Sequence, residues 1–509
     1  MSLVFKKAAN NEATCIYNGT LLHSAYNPSK EAERFASSIT NSFTPGAILV
    51  TGPALSYCAK YLRIIFPEAT LCCIRFSNEF EKTNALWDKI FYADSVNLSE
   101  ELYSFFGDEG LVSTQFISWQ PGQKAFPKMY EKSWVAIKNA VIKSRNVLST
   151  RTYFAKRWMK NTLRFFLFSK NIYSVKRTSK CIIVCASGPS LQNCIPYLKK
   201  YRDFFYLIAV SSALSPLLYN KIIPDLCIST DGGFWAKEHL NFCLKNNFDI
   251  PLALSAESAV FARVMNKNPI LTLDYGDGPS HDFIMNIKIE SVKAFRNGTV
   301  SGTAALLACS LTDKNVYITG LDLAPSDEFC HTQPNEIENF NSQFDFRLNT
   351  KETRITPSTF SSTALDIYAS WFKTTDFNHP VYRLSDNYKY KNNLNNVKDV
   401  NWDFFVSEEK NYKILKENKN DKNDKNDKKN IRKIIIDKDT QIKKLKNIIG
   451  KKIYSQEWLS NAVPVDQLIY ERSKNTPGEK KALQNVQKGI TFFYKDISRA
   501  FGNYSGEKN

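Results

Sequence analysis

The sequence predicts an α/β protein. A Rossmann-like amino-terminal domain comes first, then a doubly wound, mostly parallel central domain, then a helical carboxy-terminal region. Three observations carry this. Short apolar runs such as Ala47-Ile48-Leu49-Val50 and Ile182-Ile183-Val184-Cys185 read as buried strands, and helical patterns alternate with them. Two of these runs break at a glycine, Gly52 and Gly188, and restart as helices. Beyond Trp402 the alternation gives way to lysine and asparagine.

Residues 1–140 form the amino-terminal domain. Leu21–Ile39 opens as a turn and becomes an amphipathic helix capped near Asn27 or Ser29. Strand Ala47–Val50, the turn Thr51–Tyr57 and strand Ala69–Ile74 make a β-α-β unit. A nucleotide-binding relative would carry several glycines in that turn. Only Gly52 stands there, so the expectation is a domain without its own cofactor. Residues 141–180 read as one long basic helix whose aromatics Tyr153, Trp158, Phe165, Phe166 and Phe168 pack on a domain while its lysines are solvated.

The central domain spans 181–400. Its strands are Cys181–Cys185, Tyr206–Val210, Asp225–Ser229, Leu252–Ser255, Ile270–Leu273 and Asn315–Thr319. Helices fall at Leu191–Lys200, Ser212–Lys221, Glu257–Met265 and Ser301–Leu311. Residues 401–430 read as a Lys/Asn-rich linker, since Glu417–Asn430 has no apolar residue to bury. Residues 431–509 read as helices broken near Asn461–Pro464. Their Ile434, Ile435, Ile442, Leu445 and Ile449 fit an oligomer seam, a docking helix or, as expected here, a core face.

The chain has 509 residues and a net charge of +18. From Lys143 to Lys180 there are eleven Lys or Arg and no acid, and from Ser407 to Lys452 sixteen bases face eight acids. These two segments hold the whole excess, so the globular parts lack the general basic footprint of a nucleic-acid binder. Eleven cysteines with no CxxC pair suggest reduced thiols, a cytoplasmic location and no zinc. No apolar run nears the ~20 residues of a membrane span.

In a doubly wound sheet, ligands bind past the carboxyl ends of the strands. The candidates are therefore Gly188, Pro189 and Ser190, then Ser211, Asp231, Ser301, Gly302, Thr303 and Gly320. The turn Ala186–Ser190 offers helix N–H groups to an anion, and Ser301-Gly302-Thr303 starts a second such helix. Thr230-Asp231-Gly232 supplies one carboxylate, too few for a divalent ion, so no metal is expected. Of five histidines, His331 follows the strand end at Asp322 and is the candidate general base. Asp322 is the other catalytic candidate: a base itself, an orienting group, or a loop fastener.

The central domain resembles the motility-associated (Maf) flagellin glycosyltransferases, with their bacterial sialyltransferase-like core, distantly related to 6-hydroxymethylpterin diphosphokinases. Three stretches carry the resemblance. They are Gly188–Leu191, Ile223–Asp225 leading to Ser229-Thr230-Asp231, and Asn297–Ala305 followed by Val316–Leu323 and His331. Leu22–Pro28 with Glu31–Arg34 resembles the Maf amino-terminal domain. The resemblance implies a CMP-activated nonulosonic acid as donor, with Ser301 against the nucleotide-sugar and no cofactor or metal. Flagellin Ser/Thr hydroxyls would be the acceptor. The competing expectations are an ATP-dependent pterin-type diphosphokinase and a non-catalytic flagellin-binding scaffold.

Overall fold

The computed structural model describes residues 3–39, 44–245, 248–360, 362–385, 388–417, 431–433 and 438–506. It divides into two compact units, Met1–Ala155 with Tyr454–Lys495, and Lys156–Ile453 with Asp496–Asn509. Helices Pro127–Phe168 and Glu479–Gly506 contribute residues to both.

Unit 1 contains a small antiparallel sheet, β1 (Leu3–Lys7), β2 (Ala13–Tyr17) and β3 (Thr20–Leu21). Helix Pro28–Ser37 follows, capped by the Asn27 side chain, which accepts from the Lys30 N–H at 2.8 Å. A parallel sheet is built from β4 (Ala47–Thr51), β5 (Thr70–Arg75), β6 (Lys89–Tyr92) and β7 (Thr114–Ser118), in the order β6-β5-β4-β7. The strand order reverses between β4 and β7.

Unit 2 is organised on one large sheet. Its strands are β8 (Asn171–Tyr173), β9 (Cys181–Cys185), β10 (Phe205–Val210), β11 (Leu226–Ser229), β12 (Leu252–Ser255), β13 (Ile270–Asp274) and β14 (Ser291–Lys293). They continue with β15 (Val316–Thr319), β16 (Val381–Leu384), β17 (Lys398–Val400) and β18 (Ile431–Lys433). The order is β17-β16-β15-β9-β10-β11-β12-β13-β8-β18, with β14 also on β13. All neighbours are parallel except β18 on β8. The fold is therefore the doubly wound α/β architecture the alternation predicts. The chain runs outward from β9 to β13, then returns to lay β15 on the other side of β9. That reversal is the topological switch point, where ligand crevices form.

Several elements differ from their expected bounds, each for a packing reason. The basic helix starts at Pro127 and stops at Phe168. The segment after it bends into β8, because Ile172 and Tyr173, both 2% exposed, bury in the sheet. Phe165, Phe166 and Phe168 are buried, whereas Tyr153 is exposed. No helix forms over 257–261, where buried Glu257 and Ser258 make tertiary bonds, and the helix begins at Ala262. The segment drawn as linker opens as helix Trp402–Glu417, since Trp402 and Phe405 are buried and Trp402 stacks on Tyr197 at 5.1 Å. Residues 418–430 lie outside the described residues, as do Ile434 and Ile435, whereas Leu445 and Ile449 are buried. Among the described residues no helix is long and apolar enough to cross a membrane.

Candidate functional site

The candidate site lies at the switch point. β9 ends at Cys185, and the chain turns through Ser187–Ser190 into helix Leu191–Lys200. β15 ends beside it and turns through Gly320, at φ +68°, toward Asp322. The Gly188 N–H donates to the Gly320 carbonyl at 2.8 Å. A Cβ on Gly188 would lie 2.5 Å from Asp322 Oδ2 and 2.6 Å from Gly320 O, so only glycine fits between the two turns.

Asp322 is 3% exposed. One of its oxygens accepts from the Ser190 N–H at 2.9 Å and the other from the Ser190 hydroxyl. Burial pushes its carboxyl up to about 6, against the pull of the Ser190 bonds. The sequence predicts free N–H groups here for a ligand anion. Instead the protein's own carboxylate takes the Ser190 N–H, the position an anion would fill. The Leu191 N–H turns back to the Gly188 carbonyl at 3.0 Å and the Gln192 N–H to the Pro189 carbonyl at 3.1 Å.

His331 is brought to the same place. The Thr332 N–H donates to the Ser187 carbonyl at 2.8 Å, and its hydroxyl to the Gly188 carbonyl at 2.6 Å. This pins the His331 loop over the β9 turn. Burial pushes the partly buried imidazole down to about 4, with His239 lowering it further and Glu336 raising it. That is well below the ~6.5 of an unperturbed histidine. Ser211, 4% exposed, sits on the adjoining 3-10 turn after β10, where the Ser212 hydroxyl donates to Ser187 Oγ at 2.8 Å.

Ser301, Gly302 and Thr303 open helix Val300–Leu311. The first-turn N–H groups of a helix have no intrahelical acceptor, and the N-cap Thr299 side chain does not take one here. Ser301 is half-buried. Gly302 is a packing glycine, since a Cβ there would lie 2.8 Å from the Trp371 ring and 3.0 Å from the Asn297 amide. Thr303 turns inward, its hydroxyl 3.3 Å from Asn297 Oδ1. Asn297 Nδ2 is enclosed with no partner among the described residues. Asp231, after β11, accepts from the Gly233 N–H at 2.9 Å. Its charge also acts on Tyr368, of helix Thr363–Thr374, whose phenol burial pushes up.

Three further groupings are joined by the fold and not by a local motif, their members standing 7 to 121 residues apart. His239 Nδ1 lies 2.5 Å from Glu336 Oε2, and the Ser215 hydroxyl donates to Glu336 Oε1 at 2.6 Å. Arg296 forks onto Glu257 with two bonds of 2.8 Å, and onto Asp277, with the Tyr275 ring 4.3 Å away. His281 Nδ1 lies 2.8 Å from Asp274 Oδ2. The scarcity of histidine was the one available pointer to His239 and His281. Among the described residues no three His, Cys, Asp or Glu converge as a metal site.

Comparisons with known proteins bear on the fold. Residues 156–328 match the family described as "6-hydroxymethylpterin diphosphokinase MptE-like". A solved structure titled "Structure of MAf glycosyltransferase from Magnetospirillum magneticum AMB-1" is similar along nearly the whole chain. The TM-score is 0.52 at 13% identity, over 99% of this chain and 89% of that one. Among curated proteins, one of Treponema pallidum (strain Nichols), described as an uncharacterized protein, is 34% identical over 279 residues, 54% of this chain and 60% of the relative. A second from the same organism is 28% identical over 116 residues, 22% of this chain and 55% of the relative. The matches thus span 60% or less of these relatives' lengths. The structural likeness supports the mixed α/β fold along the chain.

Proposed function

We propose that this chain is a glycosyltransferase that moves a nonulosonic sugar from a CMP-activated donor to Ser or Thr hydroxyls of flagellin, in support of flagellar assembly and motility. The observation that carries the reading is the likeness of 99% of the chain to the Maf glycosyltransferase structure. The motif order from Gly188 to His331 is in keeping with it.

In this reading the bond between the sugar and the phosphate oxygen breaks, and the acceptor hydroxyl oxygen bonds to the sugar carbon. Negative charge builds on the leaving phosphate. In this reading the first turn of helix Val300–Leu311, with half-buried Ser301, takes that charge. The Gly188–Ser190 turn is already filled by Asp322, so it shapes the crevice rather than holding the phosphate. The neutral His331 ring accepts the hydroxyl proton as the new bond forms. Asp322 fastens the two turns.

A second reading, an ATP-dependent pterin-type diphosphokinase, is favoured by the family match over 156–328. Calorimetric titration separates the two: CMP binding is expected, and binding of ATP alone would favour the kinase. Binding of neither would leave the scaffold. Ser301→Ala should weaken CMP by ~1.5–3 kcal/mol, roughly 10- to 150-fold, without unfolding the chain. Equal affinity in the folded variant would remove Ser301 from the site. His331→Ala should lower turnover on the order of 10²–10⁴-fold with donor affinity unchanged. Because burial holds His331 near about 4, the acid limb of the rate profile should fall near that pH. An acid limb near 6.5 would point to a different group.

A further inference from the structure

The His239–Glu336–Ser215 grouping is not used by the reaction above, yet it encloses a histidine–carboxylate pair near the crevice. The His239 side chain is 6% exposed and that of Glu336 16%. Its members come from three elements: helix Leu214–Tyr219, helix Phe234–Lys245 and helix Glu336–Asn341. Burying a carboxylate is costly unless hydrogen bonds satisfy it, and here each oxygen has one partner.

The position of Glu336 in the chain gives this pair its meaning. The His331 loop is pinned at its near end by Thr332 on the Ser187 and Gly188 carbonyls. Asn335 is fully buried and its side chain accepts from the Ile337 N–H at 3.0 Å, which starts the next helix. Glu336 is the first residue of that helix. Its carboxylate ties the far end of the same loop to two helices that follow β10 and β11. The stretch that follows His331 is thus clamped at two points, Thr332 and Glu336, and the second clamp is a carboxylate. Burial is the largest influence on the His331 ring, and the charged groups acting on it are His239 and Glu336.

We propose that Glu336 is a positioning residue for His331: with His239 and Ser215 it fastens the far end of the loop whose near end Thr332 pins to the Gly188 turn. The proposal rests on the reading of His331 as the proton acceptor. The pair His281–Asp274, at the end of β13 four strands from β9, belongs to another part of the sheet edge and serves as a control.

The test uses the full chain with its histidines labelled with ¹³C at Cε1. Five histidines give a simple spectrum, and His331→Ala assigns the line of interest. Glu336→Ala should displace the His331 line while leaving the His281 line in place. It should also lower kcat by about 10- to 100-fold with donor KM within about twofold, the cost of roughly 1 Å of misplacement. Glu336→Gln keeps hydrogen-bonding atoms, so it should recover most of kcat. It should also move the His331 titration midpoint down, since a nearby negative charge favours imidazolium. His239→Gln removes a like charge and should move the midpoint up. Ser215→Ala is milder and should move the line in the Glu336→Ala direction by less. A folded Glu336→Ala or Ser215→Ala whose His331 line and midpoint coincide with the wild type overturns the proposal. If the wild type itself turns over no CMP-sugar, the functional reading fails, while the positioning is still read from the spectra.

Discussion

In unit 1 the glycine turn at the strand-order reversal is closed by a cation, and in unit 2 by an anion. After β4, Gly52 takes φ +62°, Ala54 +44° and Ser56 +64°. Arg75 of β5, 1% exposed, fills the turn. Its guanidinium donates to Ala54 O at 2.7 Å, Ser56 Oγ at 2.9 Å, Thr83 Oγ1 at 2.9 Å and Asn84 Oδ1 at 3.0 Å. The backbone of Gly122 comes so close that a Cβ there would lie 2.2 Å from Gly52 O. After β9 the turn is closed by Asp322 on the Ser190 N–H and hydroxyl, and the hydroxyls of Ser187, Ser212 and Thr332 bond along the same turn. A switch point is therefore only an opportunity. Rings, a long cation and close backbone turn one into solid core, while short hydroxyls leave the other polar.

Replacing Arg75 with Leu should break this contrast most severely. Four neutral acceptors lose their donor, and unsatisfied buried groups cost ~1–3 kcal/mol each. A loss of about 3–5 kcal/mol in urea unfolding is expected, and a loss under 1 kcal/mol would mean that the turn is held by packing alone.

Asp322→Asn sharpens the comparison through pH. The folded carboxyl titrates at about 6 and an unfolded one near ~3.9, so the folded state binds more protons between these values. The stability this contributes is present below about pH 4 and is lost as pH rises to about 6, some 3 kcal/mol in all. Asn keeps the shape but cannot ionise. The variant should be less stable than wild type by ~1–2 kcal/mol at pH 4 and equal or more stable at pH 8. A constant difference across that range would show that Asp322 is not strained by its burial.

A third comparison sets the two glycines side by side. Gly52→Ala meets a positive φ and the Phe76 ring at 2.4 Å, costing about 1–2 kcal/mol. Gly188→Ala has no such backbone strain but must push against Asp322 and the Gly320 carbonyl, for about 1–3 kcal/mol. Only Gly188→Ala should also change CMP affinity; an equal change from Gly52→Ala would erase the distinction between the turns.

Strands β4, β5, β9–β13 and β15 and the two glycine turns are legible in the sequence because continuous apolar runs next to turn residues leave few alternatives, whereas β1–β3, β6–β8, β14 and β16–β18, short or less continuously buried, carry no such run. The start of the long helix at Pro127 was missed, since amphipathic spacing does not mark where a domain surface ends. Residues 257–261 read as helix until Arg296, 39 residues away, draws Glu257 into a bidentate pair. The turn at Gly188 was placed correctly in the chain, but its occupant was not: Asp322 arrives from the neighbouring strand and fills the N–H position expected for a ligand. His239 and Glu336 stand 97 residues apart, and no local period joins them.

The pairing of β9 with β15 also sets an order of events at the ribosome. Ser190 and Asp322 are 132 residues apart. At about 5–20 residues per second, that interval takes on the order of ten seconds to synthesise. Until then the β9 turn lacks its carboxylate, and the edge of β9 that β15 will cover stands open on the nascent chain although β10 has been made. The site is a late product of translation, and a ribosome stalled between the two residues would hold a half-sheet ready to pair with the wrong partner.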